Sequence, residues 1–72
     1  MTSANFLLVL RRLSDHVKRR ATGSAAKFAR RMGLSRATFY RYLDVLRTLG
    51  AEIKYDSFRE TYYYERPPDF TL

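Results

Sequence analysis

The sequence predicts one mainly α-helical domain in which three helices are closed by a small β-hairpin, and three observations predict it. Apolar residues recur at helical spacing in three successive stretches, a glycine follows each stretch, and beyond Gly50 the pattern changes from helical to alternating. At 72 residues the chain is too short to bury a second core, so a single domain over about 1–66 with a short mobile tail at 67–72 is expected. It contains no cysteine, so neither disulfides nor thiolate metal ligation can supplement that core. Apolar packing has to hold it, and 46% hydrophobic residues, with 15% aromatic, are enough to do so.

The first helix is expected over 4–20 with Ser3 as its N-cap. Phe6, Leu10, Leu13 and Val17 fall on one face, Arg11, Arg12, Asp15, Lys18 and Arg19 fall elsewhere on the wheel, and Thr22-Gly23 breaks the helix. Ser24 caps a short second helix over 25–32, whose inner edge is Phe28, Ala29 and Met32 and whose outer side carries Lys27, Arg30 and Arg31. Gly33 ends it. Ser35 caps a third helix over 36–48, with Phe39, Leu43, Leu46 and Leu49 in its apolar stripe and Gly50 as its stop. Beyond it, Ala51, Ile53 and Tyr55 share one face of a strand, and Tyr62 and Tyr64 share one face of a second. Asp56-Ser57-Phe58-Arg59 is a polar connection between them, so the region 51–65 reads as a hairpin ended by Pro67-Pro68.

Charge is divided along the chain. Residues 1–50 hold eleven Lys and Arg against Asp15 and Asp44, a balance of +9, while residues 51–72 hold three against five acids, a balance of −2. A net +7 concentrated on the helices points to a polyanionic partner. The apolar run from Phe6 to Leu10 is cut by Arg11 and Arg12, far short of the roughly 20 residues that cross a bilayer, and no basic region precedes it as in a signal peptide. The expected setting is therefore cytoplasmic and nucleoid-associated, without a membrane partner.

Only about three residues separate the second and third helices, which forces a steep crossing, the geometry of a helix-turn-helix. Ala29 is small where the third helix crosses close by, Gly33 sits where the turn calls for positive φ, and Phe39 fills the angle between the helices. On these residues, together with Leu-Gly-Ala at 49–51 leading into the hairpin, the stretch from Ala21 to Glu65 resembles the small winged helix-turn-helix domains of bacterial transcriptional regulators, notably the DeoR-like type. With the first helix included, the resemblance covers nearly the whole chain. It implies that the hairpin is a wing whose tip approaches the minor groove or backbone of DNA. Lys54 and Arg59 are the residues placed for that, and Asp56 and Glu60 weaken the wing's positive field.

Once the core stripe of the third helix is set aside, Arg36, Ala37, Thr38, Tyr40 and Arg41 point outward. Double-stranded DNA is the expected partner, because such a helix fits the major groove. Arg36 and Arg41 suit bidentate contacts to guanine, Thr38 suits a thymine methyl or a phosphate, and Ala37 permits close approach. Ser24, Lys27, Arg30, Arg31, Ser35 and Tyr40 are expected on the phosphate backbone. Tyr62 and Tyr64 read as core packing, and Tyr63 points to DNA or solvent. Arg19-Arg20 reads as a solvated helix end. His16, without a second ligand, reads as a boundary residue rather than a metal site.

No cofactor is expected, and no catalytic constellation is apparent: the chain has no cysteine nucleophile, no glycine-rich phosphate loop and no histidine-centred cluster, so an enzyme is not expected. Competing readings are a winged-helix module for protein–protein interaction or assembly and, more weakly, non-specific RNA binding. The four outward residues of the third helix, Arg36, Thr38, Tyr40 and Arg41, separate the first of these from DNA binding, since an interaction module does not need them together. Leu7, Leu8 and Val9 exceed what one core requires. They either contact the hairpin or tail within one chain or form a homodimer through the helix over 4–20.

Overall fold

The computed structural model describes residues 3–69, and over them the chain forms α1 (Ser3–Lys18), α2 (Ala25–Met32), α3 (Arg36–Thr48), β1 (Glu52–Asp56) and β2 (Thr61–Arg66). The strands pair antiparallel, which makes the fold mainly helical: a three-helix winged helix-turn-helix with β1 and β2 as the wing. The expected bounds of α2 and α3 match those observed. Those of α1 do not: the helix already includes Ser3, so that residue belongs to the first turn instead of flanking it, and the helix ends two residues earlier than expected.

The early end of α1 has a specific cause. All three helices close in the same way, with the chain passing through the left-handed region just after the last turn and two amide groups reaching back to carbonyls that the helix leaves open. After α2 the left-handed residue is Gly33 (φ 70°), with Gly33 N–H donating to the Arg30 carbonyl and Leu34 N–H to that of Ala29 (2.8 Å). After α3 it is Gly50 (φ 99°), with Gly50 and Ala51 donating to Arg47 and Leu46. After α1 it is Arg20 (φ 54°), with Arg20 and Ala21 donating to Val17 and His16. A non-glycine residue performs the turn there, three positions before Gly23, to which the pattern had assigned the break. At Gly33 a Cβ would meet nothing within 4 Å, so an alanine would cost only the left-handed strain, about 1–2 kcal/mol.

The core lies where the three helices meet the inner face of the hairpin. Leu13, Val17, Phe28, Phe39 and Leu46 are fully buried, and Leu10, Ala29, Leu43, Ile53 and Tyr62 join them. Phe28 and Phe39 pack across the α2–α3 crossing with ring centroids 5.6 Å apart, and Ala29 is buried beside them, as its small size requires. Three members of the expected helical stripes are only half-buried, Phe6, Met32 and Leu49. Tyr42 is buried instead, edge-on to Phe6 at 5.1 Å. It lies three residues after Phe39, on the same helical face.

The hairpin register pairs Ile53 with Tyr64, Lys54 with Tyr63 and Tyr55 with Tyr62, and shifts between Glu52 and Ile53, which leaves Glu65 as the extra residue. Ile53, Tyr55, Tyr62 and Tyr64 thus share one face, but Tyr55, one residue from the end of β1, stays exposed, with its ring against that of Tyr62 (4.7 Å). Polar bonds moor the sheet to the helices. Thr22 and Thr61, both buried, form a closed pair: Thr22 N–H donates to Thr61 Oγ1 (3.2 Å), and Tyr62 N–H donates to Thr22 Oγ1 (2.9 Å). Their hydroxyls donate in turn to the carbonyls of Gly23 and Tyr62, so every buried polar atom of the pair is satisfied. Ser14 on α1 bonds the Tyr64 hydroxyl at 2.8 Å. The expected mobile tail is anchored at its start, since Asp69 N–H donates to the Leu49 carbonyl; residues 70–72 lie outside the described residues.

Candidate nucleic-acid interface

The turn between α2 and α3 and the first two turns of α3 present one continuous surface, built from the core outward. Phe39, Leu43 and Leu46 fix the rotation of α3 by burying one side, and Tyr42 widens that side. The opposite side then carries Arg36, Ala37, Tyr40 and Arg41, all exposed, with Thr38 half-exposed at its edge. Residues 36 and 40, like 37 and 41, are one helical turn apart, so the four form a compact patch.

Both serines cap as expected. Ser24 Oγ accepts from Lys27 N–H (3.2 Å), and Ser35 Oγ accepts from Thr38 N–H (3.1 Å) while donating to Thr38 Oγ1 (2.9 Å). The Ser35 and Thr38 hydroxyls thus hold each other in place at the start of α3.

Ion pairs divide the cations into two groups. Lys27 meets Glu60 of the wing (3.8 Å), Arg47 meets Asp44 (3.3 Å) and Arg66 meets Glu52 (3.3 Å), all exposed and each contributing little to stability. Among the described residues, Arg30, Arg31, Arg36, Arg41, Lys54 and Arg59 take part in no ion pair, nor do Arg11, Arg12, Lys18, Arg19 and Arg20 of α1 and the turn after it. Charge is therefore neutralised toward the C-terminal end of α3, where Asp44 and Arg47 pair, and left open at its N-terminal half. The positive end of the α3 dipole adds to it there.

Tyr40 occupies the junction between helix and wing. It is 47% exposed, its ring lies 5.5 Å from that of Phe39, and its hydroxyl side borders Tyr62. Burial pushes the Tyr62 hydroxyl up to about 12, and the neighbouring Tyr40 adds to the shift. Burial also raises Tyr64, and its bond with Ser14 holds part of that rise back. The packing expected of Tyr62 is complete, whereas Tyr64 is half-buried.

On the outer face of the sheet, the Arg20 guanidinium lies 4.8 Å over the Tyr63 ring, a contact worth about 0.5–1 kcal/mol that spacing along the chain does not reveal. Arg19 reaches the Asp15 carbonyl at the end of α1, as a basic residue at a helix C-terminus does. His16 is a boundary residue: Nδ1 is 2.7 Å from the Arg12 carbonyl and the ring edge meets Phe28.

At the wing tip Lys54 and Arg59 are exposed, and the connection 57–60 also presents a fully projecting aromatic ring, Phe58. Leu7 and Leu8 on α1 are 51% and 57% exposed, while Val9 packs partly against the core. No helix is long and apolar enough to cross a membrane, among the described residues.

No family model matches the chain, and no curated protein or solved structure matches it significantly. The fold and the geometry of its surface are therefore what a functional reading rests on.

Proposed function

We propose that this protein binds double-stranded DNA sequence-specifically, as a regulator of transcription or of a mobile element, with α3 in the major groove and the hairpin as its wing. The observation that carries this reading is the patch Arg36, Ala37, Thr38, Tyr40 and Arg41: it is rigidly mounted on a buried core and its cations are not balanced by carboxylates. A helix of about this width fits the major groove, and guanidinium groups on its outer side reach guanine O6 and N7 together. Arg30 and Arg31 at the end of α2, with the amides that open α2 and α3, supply phosphate contacts that fix the register. Tyr40, bordering Tyr62, has its ring already oriented and offers its exposed edge to the backbone. Lys27, paired with Glu60, contributes less than the unpaired arginines.

Two copies joined through Leu7 and Leu8 would place two α3 helices on one duplex and read two half-sites. Sedimentation at micromolar concentration tests that arrangement, and a strict monomer contradicts it.

The test of DNA binding is fluorescence anisotropy on mixed-sequence duplex across a salt series. Affinity should fall linearly in log salt, with a slope of about −0.9 for each phosphate contact. Arg30→Ala should flatten that slope. Arg36→Ala and Arg41→Ala should weaken binding further, and on a selected site each should relax discrimination by about 1–3 kcal/mol. Failure of the folded protein to bind duplex at low salt would overturn the reading and favour a protein partner.

A further inference from the structure

The wing carries a ring that the fold does not use. Phe58 is 94% exposed, against 57% for Leu8, the next most exposed large hydrophobic residue among those described. The inner face of the hairpin is supplied by Ile53, Tyr62 and Tyr64 without it. The shape of the connection does not depend on it either. Asp56 Oδ1 accepts the N–H groups of both Phe58 (2.9 Å) and Arg59 (3.1 Å), and Glu60 makes the left-handed step back into β2 (φ 53°). A serine or asparagine at position 58 would complete the same turn in water at no cost in packing.

The tip is also held firmly. The residue after its return step, Thr61, is buried and bonded to Thr22. Behind it, Tyr62 packs on Phe39 of α3 (5.4 Å). The ring is therefore carried on a rigid turn that moves with the helix-turn-helix. Two cations flank it: Arg59 follows it and Lys54 lies on the adjoining strand, neither in an ion pair among the described residues. Of the nearby carboxylates, Asp56 accepts the turn amides and Glu60 forms an exposed pair with Lys27.

An apolar ring between cations on a narrow hairpin suits a ligand that is anionic outside and apolar within, and the minor groove, about 6 Å wide, is such a ligand. We propose that Phe58 is a wedge that enters the minor groove, partly unstacks a base step and bends the duplex, with Arg59 and Lys54 holding the flanking phosphates. This inference rests on the DNA-binding reading and adds to it a second activity, deformation of the DNA. Apolar wedges of this kind kink duplexes by roughly 20–90°. They act most readily at flexible pyrimidine–purine steps, so the wing would add sequence preference without hydrogen bonds to bases.

The test uses the whole protein on duplexes rich in TA and CA steps, labelled with a donor and an acceptor at opposite ends. Saturating wild-type protein should raise energy transfer as the ends approach. Phe58→Ala should lose that rise while keeping the salt slope of binding, and Phe58→Leu, which keeps an apolar wedge, should retain most of it. Because the side chain makes no core contact, circular dichroism should show both variants folded. Bound wild-type protein that leaves energy transfer unchanged, or a Phe58→Ala variant that bends as well as wild type, would overturn the wedge while leaving DNA binding intact. A Phe58→Ala variant with a flattened salt slope would also overturn it, since the ring would then serve only to position Arg59. Absence of any duplex binding by the wild type would instead refute the reading on which the wedge rests.

Discussion

The α2–turn–α3 unit and the hairpin are held by different kinds of contact. Between α2 and α3 everything is local: a capping serine at each helix start, Gly33 at the turn, and Phe28, Ala29 and Phe39 meeting within a dozen residues of one another. The hairpin is attached by contacts distant in sequence, apolar ones from Ile53 and from Tyr62 to Phe39 and polar ones from Thr61 to Thr22 and Tyr64 to Ser14. The two regions also differ in charge, since open cations gather on α2 and the N-terminal half of α3 while the wing's carboxylates mostly meet partners. The α2–turn–α3 unit is thus shaped by contacts within a few residues of chain, whereas the wing takes its place only once distant segments meet, through apolar packing and a few satisfied polar bonds.

That contrast predicts a ranking of effects. The largest belongs to the local unit: Phe39→Ala should cost about 3–5 kcal/mol in chemical denaturation, because the ring is fully buried at the crossing, enough to unfold much of so small a domain. Tyr55→Ala, which removes an exposed cross-strand pair with Tyr62, should cost about 1 kcal/mol or less. Comparable losses would erase the distinction between the two regions.

Next comes the fastening. Thr22→Val keeps the shape of the side chain but leaves the buried Tyr62 N–H without its acceptor, a loss of about 1–3 kcal/mol. Thr61→Val should behave alike, and the double variant should lose less than the two added together, because both break the same network. Strict additivity in a double-mutant cycle would mean that the pair is not a single fastening.

The smallest effect is one of pH. The Tyr62 hydroxyl, raised to about 12 by burial, keeps its proton in the folded protein at pH values where the unfolded chain, near 10, has released it. The folded state thus binds more protons in this window. The associated stability is fully present below pH 10 and is lost as pH rises toward 12, with Tyr64, raised in the same direction, adding to the loss. Tyr62→Phe should flatten the decline of stability across that window and remove the latest step of a tyrosinate absorbance titration. An unchanged alkaline titration in that variant would contradict the assignment.

The same contrast explains what could be read in the sequence. The bounds of α2 and α3, their caps and the turn at Gly33 follow rules that act within a few residues, and Arg36, Thr38 and Arg41 are left outside once the apolar stripe is identified. The end of α1 was misplaced because Arg20, not a glycine, adopts the left-handed conformation. Tyr42 is absent from the expected stripe, although its spacing of three residues from Phe39 puts it on the same helical face. Thr22 and Thr61 looked like ordinary turn and strand residues, and the ring contact of Arg20 with Tyr63 likewise exists only once distant segments meet. Phe58 was hidden differently. It lay in a connection read as polar, and only the geometry of the turn reveals that its ring projects into solvent.

The most direct test of the central claim, that the N-terminal half of α3 is the DNA-reading surface, is an amide chemical-shift titration of the labelled protein with short duplex DNA at low salt. The largest changes should fall on Ser35 to Arg41, with smaller ones at Lys54 and at Phe58 to Arg59, while Leu7 to Arg12 on α1 stay nearly unchanged. Changes concentrated on α1, or none on α3 at saturating duplex, would contradict it.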